Sequence, residues 1–566
     1  MVGKSVSEEI KKIFNDRKVP LALNQTYISL IPKNKGPETI GNFRPISLCN
    51  SVYKIVTKII VAKVRPLLDN LISPFQSAFV LGRKGVDNVI IAQEIIHTIS
   101  RKKGEVGYMV IKIDLEKAYD RLEWSFIREV LCAANFPSEL IQLIMSCVTI
   151  VSTSILFNGG ALEPFLPSRG IRQGDPLSPY LFILCMEVLG RIIEDKCNNK
   201  FWYPVKASKS GLAFSHLFCA DDLLLFAKAN QQNCESVREA LDEFSMVLGQ
   251  KINPTKSKVY FSPNIDGDQR TEFCETLGFH STPKLGAYLG FPLRHAGVSN
   301  QDLNFVLDRV NQKLAGWKAN LLSFAGRKVL IQVSVSVVPT YVMQTTYLPS
   351  RILDNLDRLN RNFLWGTSDS KRRMHWVGWE KITQTMEKGG LGLQTAKGRN
   401  LAYLSKLNWR FHSEKDSLWA QVIRKKYMSP RRIASSNEDS LPSSRTWKAM
   451  KKGMEVFKRG TRWGLGRESS LKFWHNNWTS NGPLRSIIHG PLTREEDEIK
   501  VRDIALLDGW DWEKLSMVLP TKICLEIQAM PRSHVANEDD RIIWDASSNG
   551  EFNLNSAYTL ANGEAP

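Results

Sequence analysis

Cysteine and histidine are scarce in this chain, 9 of each among 566 residues, and their placing excludes several chemistries. The cysteines, Cys49, Cys132, Cys147, Cys185, Cys197, Cys219, Cys234, Cys274 and Cys524, are odd in number and never closer than 12 positions. A zinc knuckle needs CxxC pairs and a disulfide framework needs paired spacings, so neither fits. His375 and His475 stand beside tryptophans with no second ligand at metal-binding spacing, and they read as packed or surface side chains. Neither HExxH nor GxSxG occurs, which removes zinc-protease and α/β-hydrolase chemistry. The first residues, Met1 to Ser5 followed by Glu8 and Glu9, lack the apolar core of a signal peptide, so an intracellular, reducing compartment is expected. Long apolar runs are missing as well. The uncharged stretch from Val329 to Ser350 carries Pro339, Pro349, Gln332 and Gln344, and reads as a buried helix plus loop, not a membrane span. Gly3-Lys4-Ser5 imitates the end of a phosphate loop, but no strand precedes it.

What is present is ample material for several packed units, with 43% hydrophobic and 23% charged residues. The net charge is +19, and it is unevenly spread: residues 301–480 hold 32 Lys and Arg against 13 Asp and Glu, so the rest of the chain nets to zero. A confined basic excess interleaved with aromatics suits a polyanionic backbone, because each neutralised phosphate releases counterions. Lys425, Lys426, Lys451 and Lys452 are the phosphate contacts this reading expects.

Residues 1–105 mix a helical start (Val6 to Phe14), a strand-like run Tyr27 to Ile31, a Pro/Gly-rich turn and a helix with apolar spacing from Val52 to Val64; they read as a separate lobe. From 106 to 300 short apolar strands alternate with helices. Strands are expected at Tyr108–Ile113, Val151–Phe157, on both sides of Ala220-Asp221-Asp222, and at Lys258–Ser262. Helices are expected at Trp124–Ala134, Glu139–Val148, Ser178–Asp195 and Cys234–Leu248. The class is therefore α+β, helices on an antiparallel sheet. Beyond 300 helical patterns dominate, in a segment 301–400 and a basic, Trp-rich segment 401–566; 13 of the 15 tryptophans lie from Trp317 onward.

Adjacent Asp221 and Asp222, flanked by apolar runs, place two carboxylates at a tight turn between strands. Their repulsion calls for a compensating divalent cation, and hard Mg²⁺ prefers carboxylate oxygen. Asp114 ends a buried strand, an expensive place for an unpaired charge. Together Asp114 and Asp221 suit two metal ions about 3.5–4 Å apart, which activate a 3′-hydroxyl and stabilise leaving pyrophosphate. Tyr119 follows five residues after Asp114. The loop Arg172-Gln173-Gly174-Asp175-Pro176 opens a helix, with Gly174 permitting close backbone approach and Ser178 placed to cap.

In combination these phrases resemble the reverse transcriptase of LINE-type, plant-type non-LTR retrotransposons. The matching stretches are Leu30-Ile-Pro-Lys33, Asn42-Phe-Arg-Pro-Ile-Ser47, Asp114 to Asp120, Gly170 to Pro179, Ala220-Asp-Asp222, Asn253-Pro-Thr-Lys-Ser257 and Tyr288-Leu-Gly-Phe-Pro292, in the family's order over about residues 20–300. The resemblance implies a right-hand polymerase with fingers at 1–105, palm at 106–300 and a helical thumb or connection at 301–400, and it makes 401–566 the approach to a zinc-binding segment. It implies an RNA-directed DNA polymerase that joins dNTPs to a primer 3′-hydroxyl, using two Mg²⁺ ions or Mn²⁺ in their place. RNA template, DNA primer or target and dNTPs are the implied partners, without a membrane, in nucleus and cytoplasm. Asp114, Asp221 and Asp222 would be the metal ligands, Asp222 the more loosely engaged. Arg44 would clasp the triphosphate with Lys33 or Lys35 as helper, Tyr119 would exclude a 2′-hydroxyl, Gln173 and Gly174 would line the nucleotide and template pocket, and Lys256 would protonate pyrophosphate. Cys219 departs from the pattern, since the family places an aromatic there. Full members carry an upstream endonuclease and downstream zinc-binding and ribonuclease H segments, so the chain reads as a fragment. An inactive remnant that only binds nucleic acid and a maturase-like polymerase share the same residues; the intact aspartates favour activity and the Trp phrases favour the retroelement.

Overall fold

Strand-forming alternation concentrates before residue 300, and the computed structural model turns it into two larger sheets and two short hairpins. It describes residues 2–293, 300–314, 321–367, 372–428, 442–506, 509–530 and 539–563. The chain divides into two units, one of Met1–Ala296 with Gln421–Glu438, the other of Gly297–Ala420 with Asp439–Pro566.

In the first unit the strands are β1 (Gln25–Pro32), β2 (Phe43–Cys49), β3 (Tyr108–Ile113), β4 (Ser152–Phe157), β5 (Gly160–Ala161), β6 (Val205–Lys206) and β7 (Ala213–Phe214). They continue with β8 (His216–Cys219), β9 (Asp222–Lys228), β10 (Lys258–Phe261), β11 (His280–Ser281), β12 (Ala287–Tyr288) and β13 (Phe291–Pro292). One sheet runs β2-β1-β4-β5 and a second, of five strands, runs β11-β10-β3-β9-β8. The helices are α1 (Val2–Asp16), α2 (Ser51–Val64), α3 (Leu68–Leu71), α4 (Gly85–Ile99), α5 (Trp124–Ala133), α6 (Ser138–Thr149), α7 (Ser178–Asn198), α8 (Gln231–Leu248) and α9 (Gly267–Leu277). Helix α7 packs between α5 and α8, which explains why it is apolar almost all round: Phe182, Ile183, Met186 and Leu189 are fully buried.

The expected elements between 106 and 262 fall within a few residues of the observed ones. Among the elements that were not foreseen, two show why. Strand β2 follows the Pro/Gly turn directly and contains Pro45, which a sequence reading demotes; β2 is an edge strand, where a missing N–H costs no ladder bond. Helix α4 has buried residues on nearly every face and therefore no polar period to detect. Residues 1–105 are also not a body apart. Tyr53, Val56, Ile60 and Val64 of α2 share one core with Ile111 of β3, Ile144 of α6 and Phe182 of α7, and β1 pairs in parallel with β4.

A buried ion cluster closes this unit from far along the chain. Lys426 Nζ lies 2.8 Å from Glu94 Oε2 on α4 and donates to the Glu94 carbonyl at 2.7 Å, while the Tyr427 hydroxyl donates to Glu94 Oε2 at 2.7 Å. The side chains are 9% and 0% exposed for Lys426 and Glu94. Lys426 is thus committed to a carboxylate, contrary to its expected part in a basic phosphate-binding surface.

The second unit is mainly helical. Val329–Ser350 forms the end of a helix (Phe324–Leu330), a π turn (Ile331–Val335), a second helix (Val337–Met343) and a loop. No helix among the described residues is long and apolar enough to cross a membrane. The helices Ala396–Ser413 and Arg445–Gly460 pack together. Several of the tryptophans here are core: Trp474 and Trp478 pack with Phe473, and Trp544 packs with Phe457 and Tyr558, whereas Trp376 is exposed. His475 bonds Asp497 at 2.8 Å near the surface, and His375 stacks on Trp365.

Candidate active site

A cavity of about 940 Å³ opens between the two sheets of the first unit, and its lining includes Lys33, Arg44, Asp114, Tyr119, Gln173, Gly174, Asp221 and Lys256. Of the site residues singled out in the sequence, Asp222 alone does not line it.

The carboxylates arrive from neighbouring strands. Asp114 follows the last residue of β3, and its N–H donates to Ser257 Oγ at 3.1 Å. Asp221 sits in the two-residue turn between β8 and β9, where Cys219 pairs with Asp222. Ala220, the first residue of that turn, has φ of 55°, a left-handed conformation that costs a side-chain-bearing residue about 1–2 kcal/mol. Asp222 shares a face of β9 with Leu224, whose partner on β3 is Lys112. Its carboxylate therefore meets the Lys112 ammonium at 3.8 Å. Burial raises the Asp222 pKa, with Lys112 opposing the rise. Lys112 also donates to the Ala287 carbonyl, linking this corner to the β12–β13 hairpin.

Among the described residues no three His, Cys, Asp or Glu side chains form a ready metal cage. Two open carboxylates on adjacent strands nonetheless fit a hard divalent cation, which is held by one or two carboxylates plus substrate phosphates and water.

Cationic groups face the pair. Arg44 on β2 is exposed and pairs in register with Ile31. Lys33 donates from Nζ to the Gly41 carbonyl at 3.0 Å, holding the β1–β2 connection. Lys256 Nζ is 4.0 Å from Asp114 Oδ1. Its loop is an Asx turn: Asn253 Oδ1 accepts the N–H groups of Thr255 and Lys256, each at 3.2 Å, and Asn253 N–H donates to the Asp114 carbonyl at 2.8 Å.

Tyr119 lies flat on Phe182, with ring centroids 4.8 Å apart and planes 13° from parallel. Burial, helped by the nearby Asp221 charge, pushes its hydroxyl up to about 12, so it is neutral at physiological pH. The Gln173 carbonyl accepts the Ser47 N–H at 2.7 Å. Gly174 has φ of 113°, and a Cβ there would meet the Ser47 carbonyl oxygen at 2.9 Å; only glycine permits this approach. Beneath the loop Arg172 is locked by Asn24 at 2.7 Å, Thr26 at 2.9 Å and Asp175 at 3.3 Å, and it stacks over Tyr53. The expected Ser178 cap is absent: Ser178 is buried, and Asp175 Oδ1 accepts the Leu177 N–H at 3.0 Å instead.

Asp120 was missed by sequence reasoning. It lines this cavity and an adjoining one of about 300 Å³ behind Gln173, with its pKa raised by burial and opposed by Lys117, a Gln173 hydrogen bond and Lys33. The signal was available, since Asp120 closes the phrase that Asp114 opens.

Two carboxylates at the ends of neighbouring strands, with Arg44, Lys33 and Lys256 on the same open cavity, suit metal-assisted phosphoryl chemistry. Residues 31–293 match the family model described as reverse transcriptase (RNA-dependent DNA polymerase), and the relatives of the chain include Pol polyproteins of R2 retrotransposable elements. A putative ribonuclease H protein of Arabidopsis thaliana is 33% identical over 48% of this chain and 44% of its own length. An uncharacterised 149 kDa protein of transposon TX1 from Xenopus laevis is 25% identical over 69% of this chain and 29% of its own. The Pol polyprotein of the type-2 retrotransposable element R2DM from Drosophila melanogaster is 28% identical over 47% of this chain and 22% of its own. The chain thus spans less than half the length of these relatives.

Proposed function

We propose that this chain is an RNA-directed DNA polymerase, adding dNTPs to a primer 3′-hydroxyl on an RNA template. The observation that carries the reading is the convergence of Asp114 and Asp221 with Arg44, Tyr119 and Gln173 around one cavity large enough for a nucleotide. Asp114 and Asp221 would hold the divalent cations. When bound, such cations make the 3′-hydroxyl a stronger nucleophile and neutralise charge on the leaving pyrophosphate. Arg44, with Lys33, binds the triphosphate. Lys256, tethered beside Asp114, supplies a proton to the departing pyrophosphate oxygen. Gln173 and Gly174 form the floor on which base and template lie, and Asp222 braces β9 through Lys112. The basic excess in residues 301–480 serves the nucleic-acid backbone, with Lys426 outside that role.

The test is primer extension by the purified chain on an RNA template with Mg²⁺ or Mn²⁺, with chelator as control. A folded protein that binds the primer–template yet extends nothing in either metal is a nucleic-acid-binding remnant, and the proposal fails.

Sugar selection gives a second check. A ring wedged beneath the ribose rejects a 2′-hydroxyl by clash. Tyr119→Ala is expected to raise ribonucleotide over deoxyribonucleotide incorporation by about 10- to 100-fold, the discrimination a single steric contact supplies. An unchanged ratio in single-nucleotide kinetics makes Tyr119 a packing residue for Phe182 alone.

A further inference from the structure

The turn that presents Asp221 is held in place by a side chain from outside the palm strands. Ala220, at φ of 55°, occupies a position that hairpins of this length usually give to glycine. Its N–H donates to Gln76 Oε1 at 3.1 Å, and the same oxygen accepts the Ala78 N–H at 3.0 Å. Two backbone donors on one oxygen fix which end of the amide is which. Gln76 Nε2 is left buried with no partner among the described residues, and the side chain is 2% exposed. A glutamine that forgoes a donor bond to keep two acceptor bonds is placed for the acceptor.

Its backbone is equally fixed. The Phe218 N–H on β8 donates to the Phe75 carbonyl at 2.9 Å, and the Ser77 N–H donates to the Phe218 carbonyl at 3.0 Å. Asn88 of α4 adds a bond from Nδ2 to that carbonyl at 2.9 Å. The segment 75–77 thus runs along the outer edge of β8, and Gln76 reaches one residue past the strand to grip the turn.

We propose that Gln76 is a positioning residue for Asp221: by holding the Ala220 N–H it keeps the strained turn in the one conformation that aims the Asp221 carboxylate into the cavity. This rests on the reading of Asp221 as a metal-bearing carboxylate. Gln76 is not among the residues that line the cavity. Without its acceptor the Ala220–Asp221 peptide relaxes out of the left-handed region, and the carboxylate turns with it.

The experiment uses the full chain with Gln76→Leu, Gln76→Glu and the double variant Gln76→Leu/Ala220→Gly, alongside wild type. Gln76→Leu is expected to lower kcat for single-nucleotide addition by about 10²-fold, the scale of a misplaced reacting group, with the KM for dNTP changed less than about threefold. Hydrogen exchange in a peptide spanning 217–223 should accelerate. Adding Ala220→Gly should recover most of kcat, because glycine adopts positive φ without strain. Gln76→Glu, which retains an acceptor, should stay closer to wild type than Gln76→Leu, and it serves if the leucine variant fails to fold. The proposal is overturned if exchange at 217–223 is unchanged in Gln76→Leu, or if the kcat loss is not recovered by Ala220→Gly. If wild type extends no primer, the proposed function falls, and the exchange measurement alone still decides whether Gln76 holds the turn.

Discussion

Replacing Asp221 by Asn, or Asp114 by Asn, is expected to remove primer extension by at least about 10³-fold while leaving the melting profile of the chain unchanged. On the proposed function each change deletes one of the two carboxylates that would hold the cations, and charge stabilisation of several kcal/mol converts to that factor. Stability should not suffer, because the carboxylates are partly exposed and the Asp114 ion pair with Lys256 is a loose one at 4.0 Å. Asp222→Asn is expected to behave differently, retaining measurable extension, since Asp222 faces Lys112 and not the cavity. Primer-extension rates for the three variants, with circular dichroism melts, decide the matter. Equal losses at all three positions would return Asp222 to the metal.

The second large effect lies far from the chemistry. Lys426→Met leaves the Glu94 carboxylate buried without its ammonium partner, and an uncompensated buried charge costs about 3–5 kcal/mol. Chemical denaturation should reveal this as an early transition. Because the chain has two units, the transition of the first is best followed by hydrogen exchange in α4. Pairing the change with Glu94→Leu should restore stability to near wild type, since an apolar pair of similar volume replaces a buried ion pair at little or no cost. A lone Lys426→Met chain as stable as wild type would mean that water reaches Glu94 in solution.

Much of the site was legible because its residues announce themselves chemically. Charged side chains at the ends of apolar strands, as at Asp114 and Asp221, are costly without a purpose, and Gly174 and the Asn253 turn carry their backbone geometry in their residue type. What stayed hidden depends on contacts between distant segments. Gln76 lies in an irregular stretch with no period, and its oxygen meets Ala220 144 positions away. Strand β2 was obscured by a proline that only an edge position tolerates. Helix α4 is too uniformly buried to show a polar face, and Lys426, in a run of basic residues, looked like every other surface lysine. The lysine that receives Asp222 is visible only once β3 is laid beside β9.

The Glu94–Lys426 pair also sets a clock on synthesis. Glu94 is made early, but the ammonium that neutralises it follows 332 residues later. At ordinary elongation rates of about 5–20 residues per second, the nascent chain waits roughly 20–70 s with α4 carrying an unanswered charge. A ribosome that stops short of residue 426 therefore releases a chain that has all its aspartates and lacks the ammonium seated on Glu94.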